Sequence, residues 1–483
     1  MPGEPTTPHK RQRTHEKAAP HFAGRHPLGR AQPPVATKHG FHLRRADGEV
    51  RLLGGACSEV LGGANLAALL QKGFDLEARA MEAMRRGEPA EALSVHTSAG
   101  VPAQLEEFLR ALAPHVPAGG EDWCVNLQAE GGSAVHAAID MCLQSTQPGA
   151  DFSRPDARNR VACGASSYHG PASTSPGGAA PLGPLAKGLT HPVRYPIPTP
   201  FLRRRGEAEP AFHERIFSEY RAYLDEYEKE LGVLLIEPQY GSSVAAMPWP
   251  PALLRRYVAE AKARGIAVIV DEIMCGLGRH GAEPAPGGTG CFLTECWQLQ
   301  ADAVTFGKAI AGGAGHVMSG AILLHGASKL GGTKQGTAFQ SHTYAGSSAR
   351  ALANGESLLN SLQSWRPSVR AIGHALAPII ADANAKSGGW LVAHGQGCMW
   401  GGIFAHADPA ERTRANTHFK KLCAEAKVLP YFVPVGGFML TPRYDDEPQA
   451  FAAAVREMAD CALATIKAMQ WESAHMLPTL AKA

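Results

Sequence analysis

Two rhythms of apolar residues alternate through the middle of this chain. Short unbroken runs at 233–238 (VLLIEP), 266–272 (IAVIVDE), 301–308 (ADAVTFGK) and 319–325 (SGAILLH) have the length and continuity of strands buried on both faces. Between the first two, Leu253, Leu254, Tyr257, Val258 and Ala261 share one helical face, with Pro250 and Pro251 at its start and Gly265 at its end. Strand, helix, strand of this length is a βαβ unit and predicts a parallel sheet with helices on its faces. Ligands bind such open sheets beyond the carboxyl ends of their strands. Glu237, Asp271, Glu272 and Lys308 all stand at those ends.

The flanks have another texture. Residues 1–40 are rich in Pro, His and Arg, show no apolar period, and are expected to form a mobile basic arm. The arm has no h-region. Its basic character leaves room for an organelle address, but early Pro and Glu and poor amphipathicity speak against one, so the expected location is the cytoplasm. From residue 41, alternating runs around Asp47-Gly48 predict a hairpin, and Leu105, Phe108, Leu109 and Leu112 predict a helix. Beyond residue 345, a helical stretch (347–365), Gly-rich strands (394–406 and 431–444) and a closing helix (448–470) predict an α+β unit sharing a sheet with residues 41–95. The expected organisation is therefore the arm (1–40), a first part of a small domain (41–95), a large α/β domain (96–344) and the remainder of the small domain (345–483).

Composition narrows the class. Lys and Arg number 47 against 44 Asp and Glu, a formal charge of +3, too balanced for a surface that tracks phosphates. No nucleic-acid partner is expected. No apolar stretch approaches the ~18–20 residues of a membrane span, so none is expected there either. The ten cysteines are scattered as free thiols would be in a reducing compartment. Cys291 and Cys296 lie close together, but no second pair at ligand spacing accompanies them, so no metal is expected. A small molecule is the remaining kind of partner.

A lysine at a buried strand end is costly unless its charge is paired or lost, and an imine with an aldehyde cofactor removes the charge. Pyridoxal phosphate would need a carboxylate at its ring nitrogen, backbone amides for its phosphate and an aromatic against its ring. Asp271 supplies the first. Gly131, Gly132 and Ser133, opening a helix with Ala134, Ala138 and Met141 in period, supply the second, and Tyr168 or His169 the third. Singly, each has a plainer reading as a cap, a turn former or a surface lysine. Trp123, Trp249 and Phe201 line a pocket or fill the core, and Arg194 with Arg203–Arg205 forms a carboxylate clamp or faces solvent.

In combination these residues resemble the class III aminotransferases, pyridoxal-phosphate enzymes of fold type I. DEIMCGLGRHG (271–281) is similar to that family's D-E-V-x-x-G-x-G-R-x-G, and FGKAIAGG to its lysine segment. IEPQYGSSVAAMPWPPALL, SHTYAGSSARALA and HGQGCMWGGIF resemble further segments, in matching order from about residue 45 to 470. The resemblance implies an α/β large domain with a mostly parallel sheet plus a smaller α+β domain, Lys308 as Schiff-base lysine and proton shuttle, and Asp271 on the pyridine nitrogen. It implies Tyr168 on the ring, Gly131 and Gly132 at the phosphate, and Thr343 reaching that phosphate from a second copy in a homodimer. His169, Glu237, Met274 and Ser133 complete the residues expected around the cofactor, Ser133 supplying to the phosphate the hydroxyl that Gly132 does not carry. The reaction implied moves an amino group from an amine or ω-amino donor to a keto acid or aldehyde. Met439 stands where the family commonly has an arginine, and Arg443 comes after Pro442, which disfavours an amino-acid donor held through its carboxylate. Rival readings are an aminomutase like the glutamate-semialdehyde enzymes, a racemase or a decarboxylase on the same fold, a non-catalytic scaffold, and a nicotinamide enzyme. GLGRHG (276–281) fits the last only formally, since no helix is expected after it.

Overall fold

The computed structural model describes residues 35–45, 47–55, 57–94, 102–117, 122–152, 154, 156–170, 195–201, 203, 207–312, 317–330 and 348–476. The chain enters as an antiparallel meander of β1 (Val35–His39), β2 (His42–Arg45) and β3 (Gly48–Leu52). Helices α1 (Gly63–Arg85) and α2 (Ala103–Leu112) follow. Then come β4 (Cys124–Gln128), α3 (Gly131–Thr146), β5 (Arg160–Gly164), β6 (Tyr195–Ile197), α4 (Glu209–Tyr227), β7 (Leu231–Ile236) and α5 (Pro251–Ala263). The middle closes with β8 (Ala267–Asp271), α6 (Leu293–Cys296), β9 (Ala303–Phe306) and β10 (Ser319–Leu323). Last are α7 (Ala349–Lys386), β11 (Leu391–Gln396), β12 (Met399–Phe404), α8 (Pro409–Glu425), β13 (Val428–Leu429), β14 (Tyr431–Val433), β15 (Gly437–Leu440) and α9 (Pro448–Met469).

The central sheet has the order β4-β10-β9-β8-β7-β5-β6. Only β10 runs against its neighbours. Every residue of β7, β8 and β9 is buried, because helices cover both faces. The strand period of two sorts their side chains. Val233, Leu235, Ala267, Ile269 and Ala303 pack on the α3 side, whereas Leu234, Ile236, Val268, Val270, Val304 and Phe306 enter the larger core. Trp249 belongs to that core, fully buried against Phe201 and Tyr257, so these aromatics build no pocket.

The two ends of the chain meet in a second sheet, β1-β2-β3-β13, where Val428 pairs in parallel with Arg51. Its first strand begins at Val35, inside the segment expected to be an arm; pairing of Thr37–His39 with Arg44–His42 orders a stretch that carries no apolar period of its own. A third sheet, β11-β12-β15-β14, is antiparallel.

Helix α7 continues well past the stretch its sequence suggests, running through Pro367 and Pro378. Each internal proline costs about 3 kcal/mol. Beyond the first, Val369, Ile372, Leu376, Ile379 and Ile380 are all buried, each returning about 1.5–3 kcal/mol. Among the described residues no helix is long and apolar enough to cross a membrane, and no group of three or more His, Cys, Asp or Glu could hold a metal ion.

Candidate active site

Strands β7, β8 and β9 lie side by side and parallel, so the residues that follow them emerge together. Glu237, Asp271 and Lys308 line one cavity of about 280 Å³, with Gly131, Gly132, Tyr168, His169 and Met274. Antiparallel β10 delivers its first residue, Ser319, to the same wall. Lys308 adopts φ +41°, a left-handed conformation that is strained for any residue but glycine. Beside it, a Cβ on Gly307 would come within 2.7 Å of the Ser319 hydroxyl, so a larger residue there would crowd the first residue of β10.

Asp271 is the best anchored group. His169 Nδ1 lies 2.7 Å from its Oδ2, while the Thr305 hydroxyl (2.9 Å) and the Ile273 amide (3.1 Å) donate to Oδ1. Burial alone would raise this carboxyl. The His169 hydrogen bond and charge, with the Ile273 and Thr305 donors, outweigh burial and hold it below the ordinary aspartate value. His169 is thus tied to the acid, and Tyr168 stands beside it on the cavity wall. Neither Thr305 nor Ile273 is visible as a site residue in the sequence; the cross-strand pairing of Asp271 with Thr305 is the signal that finds the first.

Glu272 turns away from the cavity, as the residue next to an inward-facing strand position must. Its carboxylate accepts from the amides of Leu293 and Thr294 and from the Thr294 hydroxyl, each at 2.7 Å, and burial pushes its pKa up to about 7. It holds the start of α6. Ser133 also departs from expectation. Its hydroxyl lies 3.2 Å from Glu130 Oε1 and it is not on the cavity wall, because one step along a helix rotates a side chain by about 100°. Thr343, Arg194, Arg204 and Arg205 lie outside the described residues. Arg203 donates to the Glu207 carbonyl, and Arg443 pairs with Asp446 at 2.7 Å; neither lines the cavity.

Segments from the two ends of the chain complete the lining, with Gly55 following β3, Tyr431 on β14 and Met439 on β15. Arg279 ties these ends to the central sheet. Fully buried, it donates to the carbonyls of Cys57 and Glu59 on one side and Cys398 and Pro442 on the other, at 2.9–3.3 Å. GLGRHG is therefore a turn closed by structural bonds, with Leu277, Gly278 and Gly281 at positive φ, and it opens no helix.

A mostly parallel sheet with one reversed strand, and a site shared with a smaller sheet, is the architecture of the fold type I enzymes. The chain belongs to the class III aminotransferases, a pyridoxal-phosphate-dependent family whose model matches residues 81–426. It is 32% identical to an ornithine aminotransferase of Bordetella pertussis over 109 residues, 22% of this chain and 24% of that protein. The match thus spans about a quarter of that relative's length. Among solved structures it is similar to an (S)-enantioselective omega-transaminase from Thermomicrobium roseum, at 17% identity and TM-score 0.73 over 91% of this chain and 96% of that one. A PMP-bound aminotransferase from Vibrio fluvialis aligns at 16% identity and TM-score 0.72 over 96% and 99% of the two chains. These two likenesses show the fold.

The residues present fit pyridoxal phosphate. Helix α3 has no side-chain cap, which leaves its first amides, at Gly131 and Gly132, facing the cavity. A Cβ on Gly131 would meet Ile273 Cδ1 at 2.8 Å, so any larger residue there would have to displace the end of that side chain. The Asp271 carboxyl, held low, suits a protonated ring nitrogen.

Proposed function

We propose that this chain is an aminotransferase that moves an amino group from an amine or ω-amino donor to a keto acid or aldehyde. The observation that carries the reading is the convergence of Lys308, Asp271 and the uncapped start of α3 on one cavity. Pyridoxal phosphate, when bound, supplies an aldehyde carbon that amines can join and a ring that accepts the electron pair left by a broken C–H bond. Lys308 Nζ would hold that carbon covalently and, when free, would be the base placed to take and return the donor's Cα proton. Asp271 keeps a proton on the ring nitrogen, with His169, Thr305 and the Ile273 amide fixing its carboxylate. Tyr168 would pack against the ring, and the amides of Gly131 and Gly132 would receive the phosphate.

The same reading includes a homodimer in which Thr343 of the partner subunit completes the phosphate site, as the family resemblance implies. Ten free cysteines suit a reducing location, the cytoplasm.

The test is reduction of the cofactor-loaded protein with borohydride, followed by peptide mapping, then a donor and acceptor screen. A pyridoxyl group on the Lys308 peptide and transfer that requires an added acceptor are expected. Label on another lysine, or product formed without an acceptor, overturns the reading. Asp271→Asn is expected to lower turnover about 10²-fold or more, since it removes the charge that holds the ring proton. Thr305→Val keeps the shape but drops one bond to Asp271. It should cost about tenfold in turnover and shift the pH profile, which a purely structural role would leave in place.

A further inference from the structure

Two of the ten thiols meet where α8 packs on α9. The helices run antiparallel. Arg414 of α8 donates to the Met469 carbonyl of α9 at 3.4 Å, and His418 Nδ1 lies 3.4 Å from the Thr465 hydroxyl. At the far end Arg51 donates both to the Ala426 carbonyl at 2.9 Å and to the Glu457 carboxylate at 2.6 and 2.7 Å. Glu457, Cys461 and Thr465 recur every four residues and so form one stripe along α9. Between the levels of His418 and Ala426, the thiol of Cys423 hydrogen-bonds that of Cys461. Cys423 is fully buried, whereas Cys461 is half-buried.

Their contact is the largest influence on both thiols. It holds Cys461 below the ordinary cysteine value, against burial and the Asp460 and Glu457 charges, and together with burial it pushes Cys423 up. Cys124 and Cys296, the other half-buried thiols, are pushed up by burial, Cys124 to about 11. Cys461 therefore joins a reachable sulfur to a favoured thiolate, with a second sulfur in contact. Neither cysteine lines the cavity, and the aminotransferase reading uses neither.

We infer that Cys461 and Cys423 are a peroxide-sensitive modification site that closes to an intrachain disulfide between α8 and α9. The Cys461 thiolate attacks one oxygen of hydrogen peroxide. The O–O bond breaks, the displaced hydroxide takes the proton that Cys461 gave up and leaves as water, and Cys461 becomes a sulfenic acid. The Cys423 sulfur then attacks the Cys461 sulfur. An S–S bond forms, the S–O bond breaks, and the departing hydroxyl leaves as water with the proton from Cys423. One peroxide has accepted two electrons from the pair, and an external dithiol returns them. In a reducing compartment the resting form is the dithiol. Past the link the chain runs from α8 through β13, paired with β3, to Tyr431 on the cavity wall, so the disulfide fastens the approach to that segment.

The test treats the reduced full-length protein with limiting hydrogen peroxide, blocks remaining thiols with N-ethylmaleimide and maps tryptic peptides without reduction. Cleavage after lysine and arginine isolates Cys423 in 422–427 and Cys461 in 457–467, each with no other cysteine. These two peptides are expected as one linked species, lighter by two hydrogens than their sum, formed before other cysteines react and released by dithiothreitol. The oxidised protein should remain one chain on a non-reducing gel and melt about 3 °C or more above the reduced form, since the link restricts the unfolded chain. Cys461→Ser should abolish both the link and the melting shift. Cys423→Ser should leave a Cys461 sulfenic acid that dimedone traps. A linkage joining other cysteines, a link between two chains, Cys461 oxidised while Cys423 stays alkylatable in the wild type, or no reaction at Cys461 ahead of the remaining thiols would overturn the inference. Should either variant misfold, the wild-type peptide map still decides. The aminotransferase reading stands or falls separately, on the Lys308 label.

Discussion

Replacing Lys308 with alanine is expected to lower amino-group transfer by about 10⁴-fold or more and to abolish borohydride-stable attachment of the cofactor. Both proposed roles, covalent anchor and mobile base, would disappear with one side chain, and the cavity wall offers no second amine among the described residues. The fold should survive. The left-handed turn is shaped by Gly307 against Ser319 and by the buried strands around it, and Lys308 itself is only partly buried. Alanine at φ +41° carries the same backbone strain as lysine, so the change in folding stability is expected to be small. Far-ultraviolet dichroism and the melting curve of the apo protein provide that control. A variant that folds normally yet retains turnover within tenfold of wild type would remove Lys308 from the reaction.

The second large effect concerns stability. Arg279→Ala is expected to cost about 3–5 kcal/mol, because it strips the donors from three buried carbonyls and a part-buried one at once and leaves a cavity where the guanidinium and its stem were packed. Its position makes the loss more than local. Cys57 and Glu59 follow β3, Cys398 precedes β12 and Pro442 follows β15, so one side chain fastens segments from both ends of the chain to the loop after β8. Those segments carry Gly55, Tyr431 and Met439 to the cavity. Urea unfolding of the apo protein measures the cost. Arg279→Lys should recover only part of it, since one ammonium cannot reach all four carbonyls in the geometry of a guanidinium. A loss under about 1 kcal/mol would show that water replaces the arginine.

Much of the sheet is legible in the linear chain because the information is local. Val233–Ile236, Ala267–Val270 and Ala303–Phe306 are apolar without interruption, and only a strand covered on both faces tolerates that pattern. Helix α1 carries Leu69, Leu76 and Ala80 at helical spacing but is not among the elements anticipated above, where a small sheet is expected, and α7 runs through two prolines that would ordinarily mark an end. In α7 the buried side chains beyond Pro367 outweigh the local penalty, a balance set by helices distant in sequence.

The site divides along the same line. Which residues can do chemistry, and that Glu237, Asp271 and Lys308 share one edge of a parallel sheet, follows from residue type and strand order, both written in the chain. Which of them face the cavity does not. Asp271 points in and Glu272 out, His169 reaches across 102 positions to Asp271, and Ser133 turns to Glu130 instead of the cavity. Glu237 lines the cavity with one oxygen bonded to the Gly241 amide and the other without a partner among the described residues. Local sequence determines backbone periodicity and the supply of functional groups. Side-chain direction and pairing between remote segments arise only when the sheets and helices pack, since a hydrogen bond or a buried charge depends on neighbours that the chain order does not specify.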